Sequence, residues 1–196
     1  ALIVISFLAS VIAVLVFMRR ARRHARRYGA DMPQRFHKGH IPRLGGAGIL
    51  IGMGLAWLAA GVAGSDPFNV GWPLKVSALT LLCIAPAVLG GIAEDVTQKV
   101  PVRVRLGLTA CSAVLLCAYL QIGVHRLGYY PIDQWLQSMP YVAAFIAVLA
   151  ITGLPHAFNI IDGYNGLAGT VAVLVCLAIT HVALQLGDRQ LAGMVV

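Results

Sequence analysis

Asp162 stands in Asn159-Ile160-Ile161-Asp162-Gly163-Tyr164-Asn165-Gly166-Leu167, a polar stretch between two hydrophobic runs each long enough to cross a bilayer. A carboxylate in a span costs up to roughly 2.5–3.5 kcal/mol at the bilayer centre and less toward the edge, so one kept next to hydrocarbon usually marks a site. Asn159 and Asp162, three residues apart, share a face while a helix lasts. Asp162-Gly163 and Asn165-Gly166 are turn-forming dipeptides, so the same residues also read as a tight turn joining two spans. Tyr164 is either an interfacial anchor or a surface on which a ligand base stacks. A second acidic group closes another hydrophobic run, in Gly91-Ile92-Ala93-Glu94-Asp95-Val96-Thr97-Gln98-Lys99. Adjacent acids point about 100° apart on a helix, so Glu94 and Asp95 can face one ion only where the helix ends. Their hard oxygens suit Mg²⁺ or Mn²⁺, ions that take one or two carboxylates plus substrate phosphates. The competing reading is a solvated helix end with an i,i+4 pair between Asp95 and Lys99.

The third polar stretch runs Asp31-Met32-Pro33-Gln34-Arg35-Phe36-His37-Lys38-Gly39-His40-Ile41-Pro42-Arg43-Leu44-Gly45-Gly46. Arg35, Lys38 and Arg43 are of the type that binds phosphates, and the glycines admit backbone close to a ligand. Anchoring to lipid head groups is the alternative, and it accounts for the basic run from Arg19 to Arg27 without further assumptions.

The elements that must hold these stretches are membrane helices. Hydrophobic residues make up 59% of the chain and charged residues 11%, against about 25% charged in soluble domains. Mean hydropathy is +0.83. Six runs reach spanning length, near residues 1–18, 44–64, 74–93, 106–123, 140–158 and 167–186. The expected fold is an all-α, polytopic integral membrane helical bundle of about six transmembrane helices. A soluble bundle would show polar faces at a 3.6-residue period, and these runs show none. Residues 1–18 read as a retained first span, since the positive charges follow the apolar stretch and no small-residue cleavage site appears. Leu191 to Val196 resembles the start of a seventh span. The expectation is a single membrane domain over residues 1–196, the N-terminal part of a longer protein.

Orientation follows from the basic residues. The loop at 19–43 holds Arg19, Arg20, Arg22, Arg23, Arg26, Arg27, Arg35, Lys38 and Arg43; that at 94–105 holds Lys99, Arg103 and Arg105. The alternate loops carry only Lys75, Arg126 and Arg189. The positive-inside rule puts the N-terminus outside and the loops at 19–43, 94–105 and 157–166 in the cytoplasm. No nucleic-acid partner is needed to explain the net charge of +8.

Smaller features carry less. Cys83, Cys111, Cys117 and Cys176 all fall within proposed spans, lack zinc-site spacing and read as small packing residues. Pro86 and Pro155 are expected to loosen their helices within about two turns of the polar ends. His156 lies one turn before Asn159 and could face the same site. His181, beside Thr180 in mid-span, is expected to bond a neighbouring helix, and His24 and His125 to be solvated.

The three stretches, in this order and on one face, resemble the polyprenyl-phosphate N-acetylhexosamine-1-phosphate transferase family (glycosyltransferase family 4). Its members include the phospho-N-acetylmuramoyl-pentapeptide transferase of peptidoglycan synthesis and the GlcNAc-1-phosphate transferases of O-antigen and teichoic acid pathways. Asp31-x-Pro33 with Arg35, His37 and Pro42-Arg43-Leu44-Gly45-Gly46 looks like the family's first-loop signature. Lys38 falls where the muramoyl branch has a lysine, and the Arg43-Leu44-Gly45-Gly46 form leans toward the GlcNAc branch. Glu94-Asp95-Val96-Thr97-Gln98 occupies the place of D-D-x-x-D, with Glu94 and Gln98 departing from it. Asn159-x-x-Asp162-Gly163-x-Asn165-Gly166-Leu167 looks like N-x-x-D-G-x-D-G-L, with Asn165 in place of the second Asp.

The resemblance implies transfer of a sugar-1-phosphate from a UDP-sugar to undecaprenyl phosphate, releasing UMP, at the cytoplasmic face of the bacterial inner membrane. It implies Mg²⁺ as cofactor, with Mn²⁺ an alternative, held by Asp95, Asp162 and Glu94. Those three and Asn159 are the expected catalytic residues. Lys38, Arg43, His37, Lys99 and Asn165 are the expected substrate contacts, and a homodimer is left open. The family's later loops would lie beyond Val196, so turnover by the isolated 196 residues is not expected. Two other classes stay in view. One is a scaffold relative without activity, suggested by Glu94, Gln98 and Asn165. The other is a transporter, whose ionisable residues would lie near the midplane and not at helix ends.

Overall fold

The computed structural model describes residues 2–25, 45–63, 74–161 and 166–195. Among them are eight helices and no strand: α1 (Leu2–Ala25), α2 (Gly45–Ala63), α3 (Leu74–Thr97), α4 (Val102–Leu120), α5 (Tyr130–Ser138), α6 (Pro140–Ile161), α7 (Leu167–Gln185) and α8 (Arg189–Val195). Five of these, α2, α3, α4, α6 and α7, are long and apolar enough to cross a membrane. The protein is therefore an all-α polytopic membrane protein. The first expected span is a helix, but its apolar part, Ile3–Arg19, is shorter than the others. At 1.5 Å per residue it covers about 25 Å. Leu191 to Val195, read as the start of a further span, is helical within α8.

The chain divides into two compact units. In the first (Ala1–Leu79 and Ile161–Val196), α1 and α2 pack through small residues. Gly48, Gly52 and Ala56 are spaced by four along one buried stripe of α2. A Cβ at Gly48 would strike Val14, and one at Gly52 would strike Ser10 and the Ser6 carbonyl. Close backbone approach through small residues is how helices associate where lipid removes the hydrophobic drive between them. The start of α3 is tied to α2 by Ser77, whose hydroxyl donates to the Trp57 carbonyl at 3.3 Å. Gly187 adopts a left-handed φ of 76° after α7, and Asp188 caps α8 by accepting the Leu191 N–H at 2.9 Å.

The second unit spans Thr80–Ile160 and holds most of α3, then α4, α5 and α6. Its interior is again built from small side chains: Ser112, Ala113 and Cys117 of α4, and Ala143, Ala147 and Thr152 of α6. Leu82, Leu89, Val114, Phe145 and Leu149 point outward, as lipid-facing positions should. Pro86 does not break α3, which runs on through it. Next to it, the Ala87 N–H donates across the helix pair to Ser112 Oγ of α4 at 3.0 Å. Pro155 likewise lies inside an unbroken α6. Helices that cross a bilayer in succession alternate in direction, so α3, α4 and α6 as consecutive spans put the α3–α4 turn and the C-terminal end of α6 toward one face and the α4–α6 connection toward the other.

Two minor expectations change. Cys83 and Cys117 are buried packing residues, but Cys111 and Cys176 are exposed. Among the described residues the contact of His181 is within its own helix: its Nε2 lies 3.0 Å from Gln185 Nε2, one turn on in α7. Thr180 likewise donates to the Cys176 carbonyl of its own helix.

Candidate active site at the α3–α4 turn and the end of α6

Helix α3 continues four residues past its expected end at 93, so Glu94 and Asp95 sit in its last turn and not in a loop. Left-handed Gln98 sets the stop, and it is reinforced by Pro101. Extended at φ −60° and ψ 145°, Pro101 precedes α4, and a residue before proline is pushed out of helical conformation. Val100 therefore has an N–H with no helical acceptor. Glu94 supplies one: its Oε2 accepts that N–H at 2.9 Å. The rest of the turn is equally ordered. Gln98, left-handed at φ 54°, donates its N–H to the Glu94 carbonyl at 2.7 Å. Thr97 Oγ1 donates to the Ala93 carbonyl at 2.6 Å and accepts the Lys99 N–H at 3.3 Å. The Pro101 carbonyl then accepts from Val104 and Arg105 in the first turn of α4.

Glu94 thus has a structural task that residue type and spacing do not reveal. A shorter aspartate stem would have less reach around the turn, which gives Glu at this position a physical reason. Glu94 and Asp95 are half-buried, whereas Lys99 and Arg103 are exposed. Arg103 and Arg105, expected in a loop, belong to the first turn of α4. Arg105 Nε and Gln98 Nε2 are buried without a hydrogen-bond partner among the described residues.

On α6, Asn159 is exposed in the last turn. One turn earlier the His156 ring is half-buried, and its Nε2 is shielded from solvent with no hydrogen-bond partner among the described residues; Thr152 Oγ1, one turn further back, is in the same state. Other helix threonines, including Thr97, Thr109, Thr170 and Thr180, donate to the carbonyl four residues before. Thr152 does not. Gly166 is left-handed at φ 82°, as the Asn165-Gly166 dipeptide implied, and its carbonyl accepts both the N–H and the hydroxyl of Thr170 at 2.8 Å. His37, Lys38, Arg43, Asp162 and Asn165 lie outside the described residues. No three His, Cys, Asp or Glu side chains come together among those described.

Residues 77–196, which include the acidic turn and the end of α6, match the family model described as "Glycosyl transferase family 4". The chain belongs to this family. It is similar to a probable undecaprenyl-phosphate N-acetylglucosaminyl 1-phosphate transferase of Bacillus subtilis, 29% identical over 191 residues, covering 94% of this chain and 49% of the relative. The undecaprenyl-phosphate alpha-N-acetylglucosaminyl 1-phosphate transferase of Escherichia coli K12 is 24% identical over 180 residues, 90% of this chain and 46% of the relative. A phospho-N-acetylmuramoyl-pentapeptide-transferase of Moorella thermoacetica is 29% identical over 187 residues, with 91% and 56% coverage. This glycosyl transferase family 4 chain spans about half the length of the curated relatives it matches. No solved structure matches it.

Proposed function

We propose that this chain carries the acidic, phosphate-handling half of a transferase that moves a sugar-1-phosphate from a UDP-sugar to undecaprenyl phosphate. The observation that carries the reading is the Glu94–Asp95 pair in the last turn of α3, with Lys99, Arg103 and Arg105 close behind it in the chain. Family membership and the names of the relatives support it. The donor we favour is a UDP-N-acetylhexosamine, and the face is the cytoplasmic one, because twelve of fifteen Lys and Arg residues lie at the helix ends and connections on that side.

The acceptor needs little activation. A phosphate monoester has a second pKa near 6, so the lipid phosphate is largely dianionic at neutral pH. Its oxygen attacks the sugar-bearing phosphorus while the bridging bond to the uridine phosphate breaks and UMP leaves with the electron pair. Such transfers are governed by positioning and charge neutralisation. Asp95, with Glu94 Oε1 and Asp162, would hold Mg²⁺, whose preference for hard carboxylate oxygens beside substrate phosphates these groups meet. When bound, the ion would offset charge on the pyrophosphate. Lys38, Arg43 and Lys99 would bind phosphate oxygens, Asn159 would orient a sugar oxygen, and His37 and Asn165 would line the donor.

A second reading is a relative that binds without turnover. It is favoured by the commitment of one Glu94 oxygen to Val100. Membranes bearing the full-length protein, given undecaprenyl phosphate and a panel of labelled UDP-sugars, separate the two. Chelator-sensitive lipid-linked product supports the transferase; metal-dependent donor binding without product supports the second reading.

A further inference from the structure

The segment between α4 and α6 does more than turn the chain. Its polar and aromatic residues read as a loop, yet it contains α5, opened by Pro131 in its first turn and tied firmly to its surroundings. Asp133, buried, accepts the Leu127 N–H on Oδ1 at 2.6 Å, and Leu136, one turn on, is fully buried. The Val124 N–H donates to the Ala143 carbonyl in α6, and Met139 alone separates α5 from α6. Since α4 ends and α6 begins at a membrane surface, α5 is held within a few residues of that surface.

Asp133 and Leu136 define the side of α5 that faces the protein. The exposed residues divide about that line. Ile132 (42% exposed) and Trp135 (48%) fall on one flank, Gln134 and Gln137 with the amphipathic Tyr130 on the other, and Ser138 points away from the protein. Tyr119, Tyr129, Tyr130 and Tyr141 are exposed around the same end of the unit, Tyr141 at 89%. Aromatic residues concentrate where hydrocarbon meets water, and a helix with one apolar and one polar flank lies in that plane. α5 has no Lys or Arg, so attraction to anionic lipid does not drive the contact.

We propose that α5 is an interfacial anchor. Its Ile132–Trp135 flank seats in the head-group zone of the bilayer, at the membrane face opposite the Glu94–Asp95 pair, and its Gln134–Gln137 flank faces water. The contact is independent of the transferase reading.

The test uses the full-length protein in phosphatidylcholine nanodiscs. Emission lost on Trp135→Phe isolates the Trp135 signal, and Gln134→Trp in the Trp135→Phe background gives a probe on the opposite flank. The Trp135 component is expected to be blue-shifted and to lose most of its intensity to lipid brominated near the head group. It should lose less to lipid brominated at the chain end and little to aqueous iodide. The residue-134 probe should respond to iodide and not to brominated lipid. A Trp135 component quenched by iodide alone would overturn the proposal. So would one quenched by neither agent, which would mean that protein, such as a second copy of the chain, covers the flank. Equal lipid quenching of both probes would contradict a one-sided helix.

Discussion

The two connections within the second unit use the same device to different ends. In the α3–α4 turn, Glu94 accepts a backbone N–H from Val100, six residues later. In the α4–α6 connection, Asp133 accepts one from Leu127, six residues earlier. Glu94 stands in the last turn of a span and Asp133 in the short helix between two spans, and both satisfy a backbone group that no helix serves. Their surroundings differ. Asp133 is buried, stands without a neighbouring acid in the chain and has Arg126 as the basic residue nearest in sequence. Glu94 is half-buried, adjoins Asp95, and is followed within eleven residues by Lys99, Arg103 and Arg105. A carboxylate at a membrane edge is therefore not a catalytic signal by itself, because closing a turn is enough to keep it there. A second acid beside it and a run of cations suited to phosphate are what distinguish the α3–α4 turn.

The sharpest way to break this contrast is a pair of isosteric changes in the full-length protein. Asp95→Asn should lower lipid-linked product formation at least about 100-fold, the scale of losing one charge-stabilising group. Asp133→Asn, which keeps an acceptor oxygen for Leu127, should leave the rate per folded molecule unchanged. Equal losses in the two would erase the distinction.

Truncation addresses the shared structural role. Glu94→Ala and Asp133→Ala each leave a backbone N–H without its acceptor and should each cost about 1–3 kcal/mol, read as a lowered unfolding midpoint in detergent. Glu94→Gln should recover most of that stability, since the amide oxygen still accepts from Val100. Its rate should nevertheless require more Mg²⁺ for half-saturation. A Gln variant with an unaltered Mg²⁺ profile would confine Glu94 to the turn.

The smallest effect concerns the helix pair beneath the acidic turn. Ser112→Ala removes the acceptor that Ala87 uses next to Pro86 and should cost about 0.5–1.5 kcal/mol, with product formation little changed. An unchanged midpoint would show that the freed N–H finds another acceptor within α3.

The spans are legible in the sequence because a run of apolar residues long enough to cross a bilayer has few other uses, and α2, α3, α4, α6 and α7 lie where those runs predict. Helix ends are not. Residues 94–105 read as a loop because polar residues usually mark the end of a span. Helical bonding instead continues through polar residues until Gln98 turns left-handed, a stop without a glycine to announce it. Pro101 is the available signal. α5 is hidden for a related reason: nine residues with both tyrosine and glutamine resemble a loop until Pro131 and the Asp133–Leu136 spacing are considered together. Of the candidate site, Glu94, Asp95 and Asn159 are found from residue type and position at span ends. The bond from Val100 to Glu94 is not, since it depends on which N–H groups Pro101 leaves unserved.

If the acidic pair of the α3–α4 turn is chemically active and the buried acid of the opposite connection is not, one assay separates them. It measures lipid-linked product from labelled UDP-GlcNAc and undecaprenyl phosphate, made by membranes bearing the full-length protein with Mg²⁺ or chelator. The parent, Asp95→Asn and Asp133→Asn are compared. The expected result is chelator-sensitive product in the parent and Asp133→Asn and its loss in Asp95→Asn. Undiminished product from a folded Asp95→Asn protein would contradict a chemical role for the acidic turn.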